Sequence, residues 1–497
     1  MPKFILIALF ILIFSVPHQA QTTSPDQPRY RVKKVLKEIL SDSDFKNAGF
    51  AFYAFDWQKR KVISAINPDK SMIPASNQKL ITTATMLELY GPDFRFSTRL
   101  EYTGHIDTVS GILHGNIVIR GGGDPTLGSE YFDTTKNGQF LDLWVDAIQK
   151  SGIDSIAGAI IADPGIYDDN MVPLTWSWNN MGRDYGAGAC GLTIYDNSLT
   201  ILFNTIGNVG DSVIITGTLP EIPRLKFDNA AIIDSISYNN LGVFGTPYSP
   251  VRYLQGSLPI NKTRIEIKTT MPNPAYIAAC ELSRRLRENG IAAGNSAKTV
   301  KMLREKGKNI ESSGKLITEL LSLPYSEIMR ETNTNSNNLY AEHFMKHIGL
   351  KICNNSSTEK AANEVVSFWK SKGINTKGMT LFDGSGLSRF DCFTPRQIVQ
   401  ILTYMKDSSQ YFDYYYNSLP IGGKTGTLKN MFKDFALAQQ IRAKSGTVSR
   451  VKAYAGYIKT VSGKDIVFSM VANNFTCSTS ETNKKLEKLM VALALYK

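Results

Sequence analysis

A serine becomes a nucleophile when a neighbouring base can take its proton, and Ser76 has a candidate base three residues on, at Lys79. On a helix that spacing places the amine one turn further along the face that carries the hydroxyl. Leu80, Ala84 and Leu87 supply the apolar stripe of such a helix, with Ser76 at its start. The same spelling recurs at Ser43–Lys46, Ser312–Lys315 and Ser367–Lys370, so it has meaning only through the other groups the chain supplies.

Two other stretches offer complementary chemistry. Ser336-Asn337-Asn338 puts a hydroxyl and an amide on one short turn ahead of a helix with Tyr340, Phe344 and Ile348 on one face. Such a pair can relay a proton and bind a substrate carbonyl, although by itself it reads as helix capping. A Lys-Thr/Ser-Gly strand motif has two candidates. Lys424-Thr425-Gly426-Thr427 follows the loop 419–423 and leads into Leu428-Lys429-Asn430, which does not alternate like a strand. Lys444-Ser445-Gly446-Thr447 leads into the alternating run 451–458, a turn at Ser462-Gly463 and the return run 466–472, a hairpin able to edge a cleft. Lys444 is therefore the chosen lysine and Lys424 the decoy.

Other tempting groups read as structure. Gly121-Gly122-Gly123-Asp124-Pro125 lacks the lysine and the strand-to-helix setting of a phosphate cradle and reads as a turn. Ser385 has an aspartate two residues before it but no dedicated histidine. His343 and His347 have metal-ligand spacing but no third ligand, and read as a solvated helix face. No cofactor or metal is called for.

The elements that must position these groups follow in order. Residues 33–40 form a short amphipathic helix, and 48–55 with 61–66 an antiparallel hairpin feeding the Ser76 helix. From about 93 to 304 strand-like runs (112–119, 156–161, 213–218, 264–269) alternate with turns and with helices near 140–151 and 275–289. Helical pattern resumes over 316–332, and a further helix spans 394–405.

The chain of 497 residues has room for two or three domains. Its net charge of +12 is scattered rather than clustered; it suits an anionic envelope and peripheral contact with a membrane surface, while no nucleic-acid motif accompanies it. Lys3, an apolar run over 4–16 and His18-Gln19-Ala20 read as a signal peptide, residues 1–20, with Gln21 as the new N-terminus. The mature protein is then expected in the periplasm or cell envelope. Five widely spaced cysteines form neither a disulfide framework nor a zinc pair, and sequence does not pair them.

The order Ser-x-x-Lys, Ser-x-Asn, Lys-Ser-Gly resembles that of penicillin-binding proteins and serine β-lactamases. Over nearly the whole mature chain the resemblance is to class C low-molecular-mass penicillin-binding proteins, the D-alanyl-D-alanine carboxypeptidase/endopeptidase family. Signature-like stretches are 121–127, 383–389 and 418–423. The departures, Asn337 and Ser445, keep polar groups in place.

This resemblance implies an α+β fold. A penicillin-binding-protein/serine β-lactamase-like catalytic domain, an antiparallel sheet flanked by helices (28–92 and 310–497), would be interrupted by a large mixed, β-rich insertion (93–309). It implies that Ser76 is acylated by peptidoglycan stem peptides, with β-lactam antibiotics as covalent inhibitors, and that Lys79 accepts the serine proton with its pKa lowered by burial or by the Lys444 cation. It also implies that Ser336 relays a proton, that Asn338 binds substrate amide, and that Lys444, Ser445 and Thr447 hold the terminal carboxylate. Gly446 lies between them on the substrate-binding strand, and the backbone N–H groups of Ser76 and Thr447 would form the oxyanion hole. A secreted β-lactamase or esterase, and a non-catalytic wall-binding protein, are the alternatives.

Overall fold

The structure, a computed structural model, describes residues 32–294, 297–308 and 313–497. The expected signal peptide and its cleavage point lie outside the described residues. Among the described residues, no helix is long and apolar enough to cross a membrane.

The two ends of the chain build one sheet. Its five strands run in the order Ile441–Val448, Val451–Lys459, Asp465–Asn473, Gly49–Asp56, Lys61–Ile66, and all neighbours are antiparallel. Residues of period two explain how both faces are buried. Phe52, Ala54, Phe468 and Met470 point to one layer, formed by helices Val32–Ser41 and Thr479–Ala494. Tyr53, Val467, Ala455 and Tyr457 point to the other, which contains helices Gln78–Tyr90 and Pro395–Ser408. An apolar side chain buried in such a layer contributes about 2 kcal/mol each, so this two-sided sheet is a rigid platform.

Between these halves lies a second region with its own core, in which Trp144, Leu141, Ile148, Leu282 and Leu286 from helices Gln139–Lys150 and Pro274–Glu288 pack on strand residues. One of its sheets orders Ala297–Thr299, Ile160–Asp163, Ile117–Arg120, Ser97–Tyr102 and Lys315–Leu321. Residues 112–119, read as one strand, are two: Ile112–His114 and Ile117–Arg120 lie in different sheets. The helical reading of 316–332 is also corrected. Lys315–Leu321 is a strand antiparallel to Ser97–Tyr102, and the helix begins only at Tyr325, after Pro324. Proline lacks the N–H a continuing helix would need but fits at a helix start, which separates the two elements.

The histidines are buried rather than solvated. His343 Nδ1 lies 2.9 Å from the Gly123 carbonyl and its Nε2 3.0 Å from the Thr193 hydroxyl, while Tyr167 Oη lies 3.2 Å from His347 Nδ1. Gly123 has φ +76°, and a Cβ there would sit 2.9 Å from the His347 ring, so the glycine turn is shaped to dock on helix Asn338–Cys353, which carries both histidines. Burial brings both imidazoles down to about 3. None of the five cysteines is paired.

The histidine contacts join the region between the chain ends to the half that carries the five-stranded sheet built by those ends, and they are sensitive to acid. In the unfolded chain each imidazole binds a proton below about pH 6.5, its ordinary value, whereas folded it does so only near 3. The contribution is therefore complete above pH 6.5 and is lost as pH falls towards 3. The double substitution His343→Gln, His347→Gln is expected to lower the melting temperature at pH 7 but to shrink its further fall between pH 7 and 5. Scanning fluorimetry across that range checks it; an undiminished acid slope would contradict it.

Candidate active site

Ser76 sits in the turn Ala75–Asn77, directly ahead of helix Gln78–Tyr90. Ala75 is fully buried with φ 47°, a conformation costly for a non-glycine residue, and the turn presents Ser76 at the cleft. Lys79, on the first turn of the helix, is 0 % exposed. Its Nζ lies 3.0 Å from Ser76 Oγ, 2.5 Å from Asn338 Oδ1 and 2.8 Å from the Ser385 carbonyl. The Asn338 amide is oriented by its own Nδ2, which donates to the Tyr185 carbonyl at 2.8 Å. Asn338 Oδ1 and Ser385 O can only accept. A neutral lysine has two N–H bonds and one lone pair, so these two acceptors take both protons and leave the lone pair facing the serine hydroxyl.

Burial brings Lys79 down to about 7, against the pull of Asp383, Glu342 and Asp391, which favour the charged form. Of the two expected causes, burial or the Lys444 cation, burial is the one at work: Lys444 is itself held well below the ordinary lysine value, by burial first and then by the charges of Lys79 and Lys452. Glu342 is pushed up to about 8 by burial and by the Asp383 charge, and Asp391 is raised by the same two causes. Asp383 accepts from the N–H groups of Ser385, Gly386 and Ser388 and from the Trp176 indole.

The Ser336 turn is made by two helix ends. Helix Tyr325–Asn335 stops at Ser336, which takes the left-handed conformation, and Asn337 caps the next helix by accepting from the Tyr340 N–H. Ser336 and Asn338 are thereby left free to face the cleft. Lys444 Nζ donates to Ser336 Oγ at 2.8 Å and to the Ser445 carbonyl at 2.9 Å.

Lys444, Ser445, Gly446 and Thr447 lie on strand Ile441–Val448 at the edge of the five-stranded sheet. A segment at Pro420–Gly422 covers only the start of that edge, so the stretch from Lys444 onward is open to the cleft. A Cβ on Gly446 would stand 2.5 Å from the Pro74 carbonyl and 3.0 Å from the Ser76 nitrogen, so the strand backbone runs directly against the turn bearing Ser76. Ser445 is buried and Thr447 exposed. Lys424 is exposed beside the short turn Gly426–Leu428, away from these groups.

All eight residues read from sequence therefore converge. Sequence reasoning missed the Ser385 carbonyl, Glu342, Asp391, Lys452 and the inserted region's Trp176 and Tyr185. Glu342 carried a usable signal, since it stands four residues after Asn338 on the same helical face. The others belong to contacts between segments far apart in sequence. Among the described residues, no cluster able to hold a metal ion is present.

An antiparallel sheet with flanking helices and a serine–lysine pair at its edge defines the penicillin-binding-protein/serine β-lactamase class. Within that class the chain belongs to the D-Ala-D-Ala carboxypeptidase 3 (S13) family, whose model matches residues 32–495, and it is a serine-type hydrolase of that kind. It is 25% identical over 453 residues to a D-alanyl-D-alanine carboxypeptidase of Actinomadura sp. (strain R39), covering 89% of this chain and 81% of that one. It is 24% identical over 451 residues to the D-alanyl-D-alanine carboxypeptidase DacB of Haemophilus influenzae, covering 90% and 89%. The crystal structure of penicillin binding protein 4 (dacB) from Haemophilus influenzae superposes with a TM-score of 0.78 at 22% identity, over 93% of this chain and 98% of that one.

The contact between Gly446 and Ser76 yields a direct prediction. Gly446→Ala forces the edge strand away from the serine turn and is expected to slow covalent labelling of Ser76 by about a hundredfold or more, the scale on which misplaced reacting groups lose rate. The same clash should lower the melting temperature, so labelling is compared at a temperature where both proteins are folded. Labelling kinetics followed by intact mass check it; a rate within threefold of the parent would contradict it.

Proposed function

We propose that the protein hydrolyses the terminal D-alanyl-D-alanine bond of peptidoglycan stem peptides through an acyl-enzyme on Ser76, and that β-lactams acylate the same serine. The observation that carries this reading is the hydrogen-bond set of Lys79, which directs an amine lone pair at Ser76 Oγ.

Ser76 gives its proton to Lys79 and attacks the carbonyl carbon of the penultimate D-alanine. The backbone N–H groups of Ser76 and Thr447 stabilise the oxyanion. The proton then passes from Lys79 through Ser336 to the departing amine of the last D-alanine, which leaves as the C–N bond breaks. Water attacks the remaining ester and Ser76 regains its proton. Asn338 has two tasks, holding Lys79 through Oδ1 and meeting the substrate amide.

Lys444 binds the terminal carboxylate together with Ser445 and Thr447. Its ammonium is disfavoured in the empty site by burial, and an arriving carboxylate restores the charged form. The same chemistry serves a D,D-endopeptidase, whose leaving group is the amine of a neighbouring stem peptide. We place the catalytic domain at 32–92 and from about 322 to 497, with the insertion extended from 309 to Leu321 because strand Lys315–Leu321 pairs within its sheet. Export to the cell envelope and peripheral contact with an anionic surface accompany this reading.

Related proteins support the assignment of inhibitors: one Haemophilus influenzae penicillin binding protein 4 structure is complexed with a β-lactam. Incubation with benzylpenicillin should leave one penicilloyl group on the protein by intact mass, absent in Ser76→Ala. Rapid loss of the drug without an adduct would make the protein a β-lactamase. Neither adduct nor drug loss would leave the wall-binding reading.

A further inference from the structure

Lys452 stands outside the three motifs, on the strand next to the catalytic edge. In the register of the sheet it lies directly opposite Thr447. Its Nζ donates to Thr447 Oγ1 at 2.7 Å and lies 4.9 Å from the centroid of the Tyr454 ring. The lysine is buried, 6% exposed, while Thr447 faces solvent. Among the described residues, no carboxylate is within ion-pair distance of this ammonium and its pKa is displaced by burial alone, to about 8. The charged form therefore prevails at pH 7 without an acidic partner.

We propose that Lys452 is a positioning residue for the terminal carboxylate of the substrate, acting through Thr447. An ammonium can only donate, so the Thr447 oxygen accepts from it, and the threonine must give its own proton elsewhere. Among the described residues no acceptor takes that proton, and the exposed side chain leaves it available at the open edge of the strand. A hydroxyl backed by a cation is a stronger donor than one backed by solvent, and hydrogen bonds to an ionised group are about twice as strong as neutral ones. Lys444 lies on the same edge strand, and the charge of Lys452 acts on it. A carboxylate arriving beside Thr447 would thus be drawn by the Lys452 cation, which has no other anion among the described residues, and would favour the charged form of Lys444 as well. The inference rests on the carboxypeptidase reading above and deepens it: Lys452 sets the preference for a substrate ending in a free carboxylate over one ending in an uncharged group.

The test compares a peptide ending in D-Ala-D-Ala with the same peptide bearing a C-terminal carboxamide, as the ratio of their kcat/KM values. Lys452→Met is expected to reduce that ratio about tenfold or more, within the range that one charge-assisted hydrogen bond commands, mainly through a higher KM for the free acid. Lys452→Arg, which keeps the cation, should restore most of the ratio. An unchanged ratio in Lys452→Met, or a loss that arginine does not reverse, overturns the proposal. If Lys452→Met fails to fold, Thr447→Val tests the same link with the buried lysine in place; it should lower the ratio similarly, and a parental ratio would overturn the proposal. Failure of the unaltered enzyme to hydrolyse either peptide would instead strike down the carboxypeptidase reading on which the proposal stands.

Discussion

A lysine amine sealed from water and held by two acceptors beside a serine is the constraint on which the rest of this structure depends. An ammonium would be costly to bury at that point, and burial brings Lys79 to about 7. The cost is limited by Asn338 Oδ1, the Ser385 carbonyl and the more distant carboxyl groups of Asp383, Glu342 and Asp391. They come from two stretches far apart in sequence, helix Asn338–Cys353 and the segment 383–391, and meet a lysine on a third. The sheet shared by both chain ends, the helix pair meeting at Ser336 and the tight loop at Asp383 all serve to bring these groups to one amine.

The inserted region takes part in this arrangement. Its Trp176 indole donates to Asp383 and its Tyr185 carbonyl fixes the Asn338 amide. Tyr340, two residues beyond Asn338, bonds Ser129 and Asp196 of the same region. These contacts hold the loop and the turn that hold Lys79. A region that looks accessory by its position in sequence is thus one hydrogen bond away from two groups that act on Lys79.

The grouping of the candidate residues was legible in sequence because the proposed chemistry uses particular residue types at short spacing. Ser76 with Lys79, Ser336 with Asn338, and Lys444 with Thr447 each lie within one turn or one short strand. The choice of Lys444 over Lys424 came from alternation downstream, and in the structure Lys444 lies on a strand whereas Lys424 stands in a loop. Lys452, Trp176 and Ser385 were not legible, since each acts through a contact that only the folded chain creates. The main hairpin and the helix over 394–405 were readable from periodicity. The stretch 316–332 was not, because Leu316, Ile317, Leu320 and Leu321 fit helical spacing as well as a half-buried strand, and Pro324 was the overlooked boundary. His343 and His347 misled for a related reason: a polar pair at helical spacing looks solvated until a second region is packed over it.

The most direct measurement is the titration of Lys79 by NMR in protein labelled with ¹⁵N at the lysine Nζ, with Lys79→Arg to identify the resonance. The account predicts a lysine that deprotonates near pH 7 in the empty enzyme, when its lone pair becomes available to Ser76. A resonance that titrates near 10.5, the ordinary lysine value, would mean that the amine stays charged at neutral pH, and the role of Lys79 as the base for Ser76 would be contradicted.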